Sequence, residues 1–221
     1  DWQKLLPTVS PSPRGAMGMA FDEARKQMVA YGGQTEAGIS SETWAFDGVV
    51  WKQLSPGLSP PPAYGAALTY DAATQRVRLF GGQLEDRVHN GTWSWDGVVW
   101  RQDQSADLPE LSQESTPLYA NEAKQELQIF NAANFDLNDP SVSPGWAFSG
   151  RVWSKRAFRA IPTSRRAPAL VWDEARQSAV LFGGAGDDRL LDDTWLFSGG
   201  SWSPIAPTSR PPARAQHRLV Y

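Results

Sequence analysis

The sequence predicts an all-β fold assembled from about four copies of a four-stranded antiparallel sheet. Three observations carry that expectation: a composition heavy in tryptophan, glycine and proline, tryptophans set on a regular grid, and Gly-Gly and Asp-Gly doublets at fixed places within it. The 221 residues include 11 Trp, 19 Gly and 17 Pro, which suits short aromatic strands broken by tight turns and leaves little room for helices.

The grid has four series. Trp2, Trp51, Trp100, Trp153 and Trp202 are separated by 49, 49, 53 and 49 residues. Trp44, Trp93, Trp146 and Trp195 each lie seven positions before one of the last four, inside WAFDGVVW, WSWDGVVW, WAFSGRVW and WLFSGGSW. Gly32-Gly33, Gly81-Gly82 and Gly183-Gly184 form the third series, with Asn131-Ala132 at the equivalent place in the remaining copy. Turns beginning at Asp22, Asp71, Asn121 and Asp173 form the fourth. Self-similarity at such a period marks a repeat architecture.

Each copy reads as four strands, a to d. GAMGMAF is a short apolar run ending in the turn DEARKQ, and MVAYGG follows it. Their nearly continuous apolar character predicts inner strands a and b, covered on both faces by neighbouring sheets. After a loop of variable length come ETWAF, Asp47-Gly48 and VVWKQL. Asp-Gly between aromatic runs is a strong hairpin signal, so these are strands c and d. Four antiparallel strands recurring in this way predict a β-propeller blade and not a sandwich, whose strands do not repeat identically. The repeats span approximately 3–51, 52–100, 101–153 and 154–202, and 1–2 and 203–221 belong to incomplete blades. The paired glycines close strand b, where the backbone takes a positive φ or passes close under an aromatic ring, with Asn131 as a tolerated substitute. The repeated tryptophans are expected in the core, each burying roughly 200 Å² between adjacent blades.

The Gly-Gly doublet, the aromatic residues of strand c and the tryptophan of strand d resemble the kelch repeat over nearly the whole chain. The resemblance implies four-stranded blades around a central channel, usually six or seven in number. The third repeat departs from the pattern: it lacks Gly-Gly and carries the longer connections DQSADLPELSQESTP and NAANFDLNDPSVSPG. DWQKLL matches strand d alone and PPARAQHRLVY strand a alone, which predicts a segment of a longer propeller, or a protomer of an assembly that supplies the missing strands. The style of repeat resembles bacterial kelch proteins of the envelope or secreted type.

Charge and residue inventory exclude several classes. The net charge of −3, from 21 basic and 24 acidic residues, gives no footprint for a phosphate backbone. No apolar run reaches the roughly 18 to 20 residues needed to span a bilayer, and Asp1-Trp2-Gln3-Lys4 lacks a signal-peptide layout. Cysteine is absent, so there is no disulfide, thiolate metal site or thiol nucleophile. With His89 and His217 as the two histidines, no histidine-based triad or metal cluster assembles. Asp187, Asp188, Asp192 and Asp193 lack the spacing of a calcium loop and read as solvated or strand-capping groups. Galactose oxidase is a kelch relative whose copper centre includes a cysteine-linked tyrosine, so that activity does not carry over. Asn90-Gly91-Thr92 fits a glycosylation sequon but coincides with repeat positions.

Partner-binding residues are therefore sought in loops. Antiparallel order puts the short a–b and c–d turns at one end of each blade and the variable b–c and d–a loops at the other. The b–c loops offer Glu36, Glu85, Asp86, Arg87, His89, Phe135, Asp187, Asp188 and Arg189. The d–a loops offer Arg14, Arg165 and Arg214 at one equivalent position, with Tyr64 and Arg166 one position later. Guanidinium groups there either grip carboxylates of a ligand or bond carbonyls of the neighbouring blade, and Ala63 and Gln113 fill the position in the other copies. The expected function is a scaffold that binds a protein or peptide partner, with no catalytic residues, metal or cofactor. The alternative is a carbohydrate-binding or carbohydrate-active propeller, in which an exposed Trp or Phe135 stacks on sugar rings; a purely architectural segment is a third class.

Overall fold

The computed structural model describes residues 4–105, 109, 118–121, 126–130, 145–149, 152–156, 162–163, 165–217 and 219. The chain divides into two compact units, Asp1–Asp103 and Gln104–Tyr221. Among the described residues every regular element is a strand, and no helix is long and apolar enough to cross a membrane.

The first unit contains β1 (Arg14–Gly15), β2 (Gly18–Asp22), β3 (Gln27–Tyr31), β4 (Gln34–Thr35), β5 (Gly38–Ile39), β6 (Thr43–Phe46), β7 (Trp51–Leu54), β8 (Ala67–Asp71), β9 (Arg76–Phe80), β10 (Thr92–Trp95) and β11 (Trp100–Asp103). Two antiparallel sheets follow chain order, β2-β3-β6-β7 and β8-β9-β10-β11, and β1-β4-β5 form a small sheet of their own. The second unit contains β12 (Leu118–Asn121), β13 (Glu126–Phe130), β14 (Gly145–Ser149) and β15 (Val152–Arg156), then β16 (Ala169–Asp173), β17 (Ser178–Ala185), β18 (Leu190–Ser198) and β19 (Ser201–Ile205). These make two further four-stranded sheets in the same order. The strands expected from the repeats are therefore present in all four copies.

Side-chain chemistry explains the turns that begin with aspartate. The a–b turns are held by an aspartate that accepts the backbone N–H three residues on: Asp22 from Arg25 at 3.2 Å, Asp71 from Thr74 at 3.3 Å and Asp173 from Arg176 at 2.9 Å. Such local carboxylate bonds are why aspartate begins turns. Lys26, Gln75 and Gln177 close these turns at φ 53°, 53° and 50°. In the c–d hairpin Asp47 Oδ1 accepts N–H groups from Val49 and Val50, both at 2.9 Å, and Gly48 takes φ 102°. Asp96 does the same for Val98 and Val99. Val49 and Val50 thus belong to the turn and are exposed, so strand d begins at Trp51.

Across every c–d hairpin an aromatic pair stands in register: Phe46 and Trp51, Trp95 and Trp100, Phe148 and Trp153, Phe197 and Trp202, with ring centroids 5.0–5.4 Å apart. Cross-strand aromatic contacts of this kind stabilise a sheet by about 0.2–1 kcal/mol each. In the first unit Val29 and Tyr31 of one sheet and Val77, Leu79, Trp95 and Trp100 of the next share one core. Trp100 Nε1 reaches across to donate to Thr43 Oγ1 at 2.9 Å. The Tyr31 hydroxyl donates to Pro60 O at 2.6 Å, and burial pushes its pKa up.

The glycine doublets have a different neighbour from the expected aromatic ring. A Cβ on Gly32 would collide with Ala63 O, and one on Gly183 would sit 2.5 Å from Arg214 O. Their φ values are 70° and 62°, so both space and backbone require glycine. What passes over them is the backbone leading into the next repeat. Gly33 N–H donates to Ala63 O at 2.9 Å, Ala63 N–H to Ser40 O at 3.2 Å, and Gly65 N–H to Ala16 O at 2.7 Å. The second unit repeats this: Gly184 to Arg214 at 2.8 Å, Arg214 to Leu191 at 3.1 Å, and Gln216 to Ala167 at 3.0 Å. Asn131 lies outside the described residues.

Candidate functional site

The sequence leaves the arginines ahead of strand a open between gripping a ligand and bonding backbone carbonyls, and two of them are turned inward. The Arg14 side chain is 3% exposed. Its Nε donates to Ser12 O at 3.0 Å, Nη1 to Gly32 O at 3.1 Å, and Nη2 to Glu42 Oε2 at 2.5 Å. Arg165 is fully buried and repeats the set, with Thr163 O at 2.9 Å, Gly183 O at 3.1 Å, and a bidentate bridge to Asp193 at 2.5 and 2.8 Å.

The same carboxylates hold the strand-c tryptophan. Trp44 Nε1 donates to Glu42 Oε2 at 3.0 Å and Trp195 Nε1 to Asp193 Oδ2 at 2.7 Å. The bond from Trp44, joined by those from Arg14 and Gln53, holds Glu42 below its ordinary range against partial burial. For Asp193 burial pushes upward, but hydrogen bonds from Arg165 and Trp195 outweigh it and the pKa is lowered. Arginine, carboxylate and indole form one clasp joining the start of strand a, the end of strand b and the start of strand c. Charge-assisted bonds are the strong ones in such a cluster.

The second repeat lacks the clasp. Ala63 stands where Arg14 and Arg165 stand, and Gly91 where Glu42 and Asp193 stand. His89 takes over part of the role: its Nε2 accepts from Trp93 Nε1 at 3.4 Å, and its ring fills the space a Cβ on Gly91 would need. Burial, helped by Arg87, lowers the His89 pKa and keeps it the neutral acceptor that this bond requires. In the third repeat Gln113 and Pro144 stand at the two positions. Arginine and carboxylate thus occur together or not at all in the four complete copies. That co-occurrence is a readable signal of internal pairing.

The remaining candidates lie on the surface. Leu84 N–H bonds Arg87 O and Gly186 N–H bonds Arg189 O, both at 2.9 Å, closing two equivalent four-residue turns. Glu85-Asp86 occupy the centre of one and Asp187-Asp188 the centre of the other, each followed by an arginine. All six side chains are exposed. Arg87 and Asp86 pair at 3.2 Å while 70% and 72% exposed. Glu36 is exposed at the tip of the β4–β5 hairpin, the matching turn of the first repeat. Arg166 is exposed and Tyr64 half-buried, each in a backbone bridge with the residue following a glycine doublet, Ala185 and Gln83. Arg214 is exposed. Phe135 lies outside the described residues.

Of the four aspartates considered together, Asp193 belongs to the clasp, Asp192 pairs with Arg210 at 3.2 Å, and Asp187 and Asp188 are turn residues. Among the described residues no cluster of three histidine or acidic side chains is placed to hold a metal. Every described tryptophan is buried or half-buried. Compared with known proteins, the chain matches no family model and no curated protein.

Proposed function

We propose that the chain forms kelch-type β-propeller blades whose b–c loop tips, with the d–a loops beside them, bind a protein or peptide partner without chemistry of their own. The observation that carries this reading is the matched pair of acid-acid-arginine turns, Glu85-Asp86-Arg87 and Asp187-Asp188-Arg189. Their side chains are exposed and held by backbone bonds at the same end of their sheets as Glu36, Arg166 and Arg214. Tips closed by a backbone bond and bearing both signs of charge suit an amphoteric protein surface, because complementary charge steers encounter and rejects wrong partners. The inward-turned Arg14 and Arg165 belong to the scaffold and not to the binding surface.

A carbohydrate reading needs an exposed aromatic platform, and none of the described tryptophans supplies one. The test is carboxylate-directed cross-linking to a captured partner, comparing the native chain with a variant neutralised at Glu85, Asp86, Asp187 and Asp188. Cross-links at the tips and loss of capture by the variant are the expected result. Capture that survives the variant, with cross-links at the opposite turns around Asp47 and Asp96, would overturn the reading.

A further inference from the structure

Ser40, His89 and Leu191 hold one equivalent position at the foot of the b–c loops of the first, second and fourth repeats. In the first two the backbone there makes the same bond: Ser40 N–H donates to Gly33 O at 2.9 Å and His89 N–H to Gly82 O at 2.8 Å. The side chains secure the loop in different ways. Ser40 Oγ accepts from Glu42 N–H at 3.1 Å and from Arg14 Nη1 at 3.2 Å, inside the charged clasp. Leu191 lies in β18, which stays paired with β17 through Gly184 and Ala185. The second loop has the Gln83–Val88 bridge, the bond from Leu84 N–H to Arg87 O, and the His89 ring, whose Nε2 accepts from Trp93 and which fills the space beside Gly91. Of the three residues at this position, histidine alone titrates near neutral pH.

We infer that His89 is a proton-operated latch on the second b–c loop: the neutral ring pins the Glu85-Asp86-Arg87 tip in its closed turn, and a proton taken from solvent at Nε2 releases that tip. A neutral ring whose Nε2 accepts carries its hydrogen on Nδ1. Once Nε2 is protonated it meets the Trp93 indole N–H donor to donor, so the bond is lost and the cation gains by leaving its half-buried slot for water. Among the described residues, Arg87 is the charge that acts on the ring, and it repels the imidazolium. Glu85 and Asp86 on the same loop are exposed. Strand β10 meets the ring with Trp93, the end of β9 meets the loop at Gly82, and the d–a loop brings Tyr64, bridged to Gln83. None of these elements gives His89 a carboxylate partner among the described residues. Ser40 and Leu191 do not titrate, so the tips at Glu36 and at Asp187-Asp188 stay closed over the same range. The inference rests on the loop-tip reading for its consequence, because it regulates one of those tips, while the opening itself is a property of this chain alone.

The test is amide hydrogen exchange on the full 221-residue chain from about pH 7.5 to about pH 5, corrected for the intrinsic rate at each pH. The closed ring takes up a proton less readily than a free one, so opening gains as pH falls below the ordinary histidine value of 6.5. Protection of the Leu84 and His89 amides should fall about fivefold or more over that range. The Ser40 and Gly186 amides, bonded to Gly33 O and Arg189 O, should keep theirs. The Trp93 indole N–H resonance should shift over the same pH range. A His89→Gln variant offers a carbonyl acceptor to Trp93 without titrating, and its Leu84 protection should stay level. Protection that stays constant in the native chain, an equal loss at Ser40 and Gly186, or an equal loss in His89→Gln would overturn the latch. A partner indifferent to the neutralised tips would sink the loop-tip reading and leave this opening in place. A tip still closed at about pH 5 would sink the latch and leave the tips as a binding surface.

Discussion

The first and second sheets share strand order, turn chemistry and the cross-strand aromatic pair, yet they anchor the strand-c tryptophan in different ways. Around Trp44 a buried arginine and a carboxylate close a charged clasp. Around Trp93 a neutral histidine accepts the indole N–H, and an alanine and a glycine fill the charged positions. The difference teaches that the clasp is a module: its charges enter and leave together, because a buried guanidinium without its counter-ion is costly.

Breaking the rule in the second sheet should have the largest effect. Ala63 is 2% exposed, and Ala63→Arg would bury a cation that has Gly91 where the carboxylate should be, for an expected loss of roughly 3 kcal/mol in urea unfolding. Adding Gly91→Glu and His89→Ala to that variant should recover much of the loss, whereas Gly91→Glu alone should not, because His89 occupies its space. Removing the clasp from the first sheet comes next. Arg14→Met leaves a carboxylate that is 37% exposed and therefore partly rescued by water, so the expected loss is about 2 kcal/mol.

Acid separates the two anchors by pH range. The folded-state pKa of His89 is depressed below 6.5. On acidification the unfolded chain therefore takes up its proton first, and stability falls as pH drops below that value. A His89→Gln variant should show a flatter thermal midpoint over that range. The Glu42 pKa is likewise lowered, but from the carboxylate range. Its contribution is present above about pH 4.5 and is lost as pH falls through the folded value. Smallest and opposite in sign, Lys26→Gly and Gln75→Gly should each stabilise by about 0.5 kcal/mol, since both residues sit at positive φ where a Cβ is unfavourable. Unchanged or lower midpoints would show that their side chains contribute more than the backbone strain.

Local chemistry makes most of the fold legible. Asp47-Gly48 is a hairpin signal because it forms its turn from its own carboxylate and a positive φ, and the Asp22 and Asp173 turns work the same way. The limits of strand d shift where Val49 and Val50, apolar enough to read as strand, are drawn into that turn. The reason for the glycine doublets is partly illegible. The crowding of Gly32 and Gly183 comes from Ala63 and Arg214, about thirty residues further along, and such a contact has no local signature. The clasp is legible in principle, since Arg14 with Glu42 and Arg165 with Asp193 contrast with Ala63 and Gly91. Reading any one arginine by itself leaves its partner, 28 residues away, out of view. The loop tips are legible as charge in variable loops, while the backbone bonds that make Glu85-Asp86 and Asp187-Asp188 equivalent require the structure.

The most direct test of the clasp as a cooperative module is a double-mutant cycle in urea on Arg14→Met and Glu42→Gln. A favourable coupling energy of about 1–2 kcal/mol between the two sites is predicted. Additivity within about 0.3 kcal/mol would contradict it, and would mean that Arg14 and Glu42 stabilise the repeat independently.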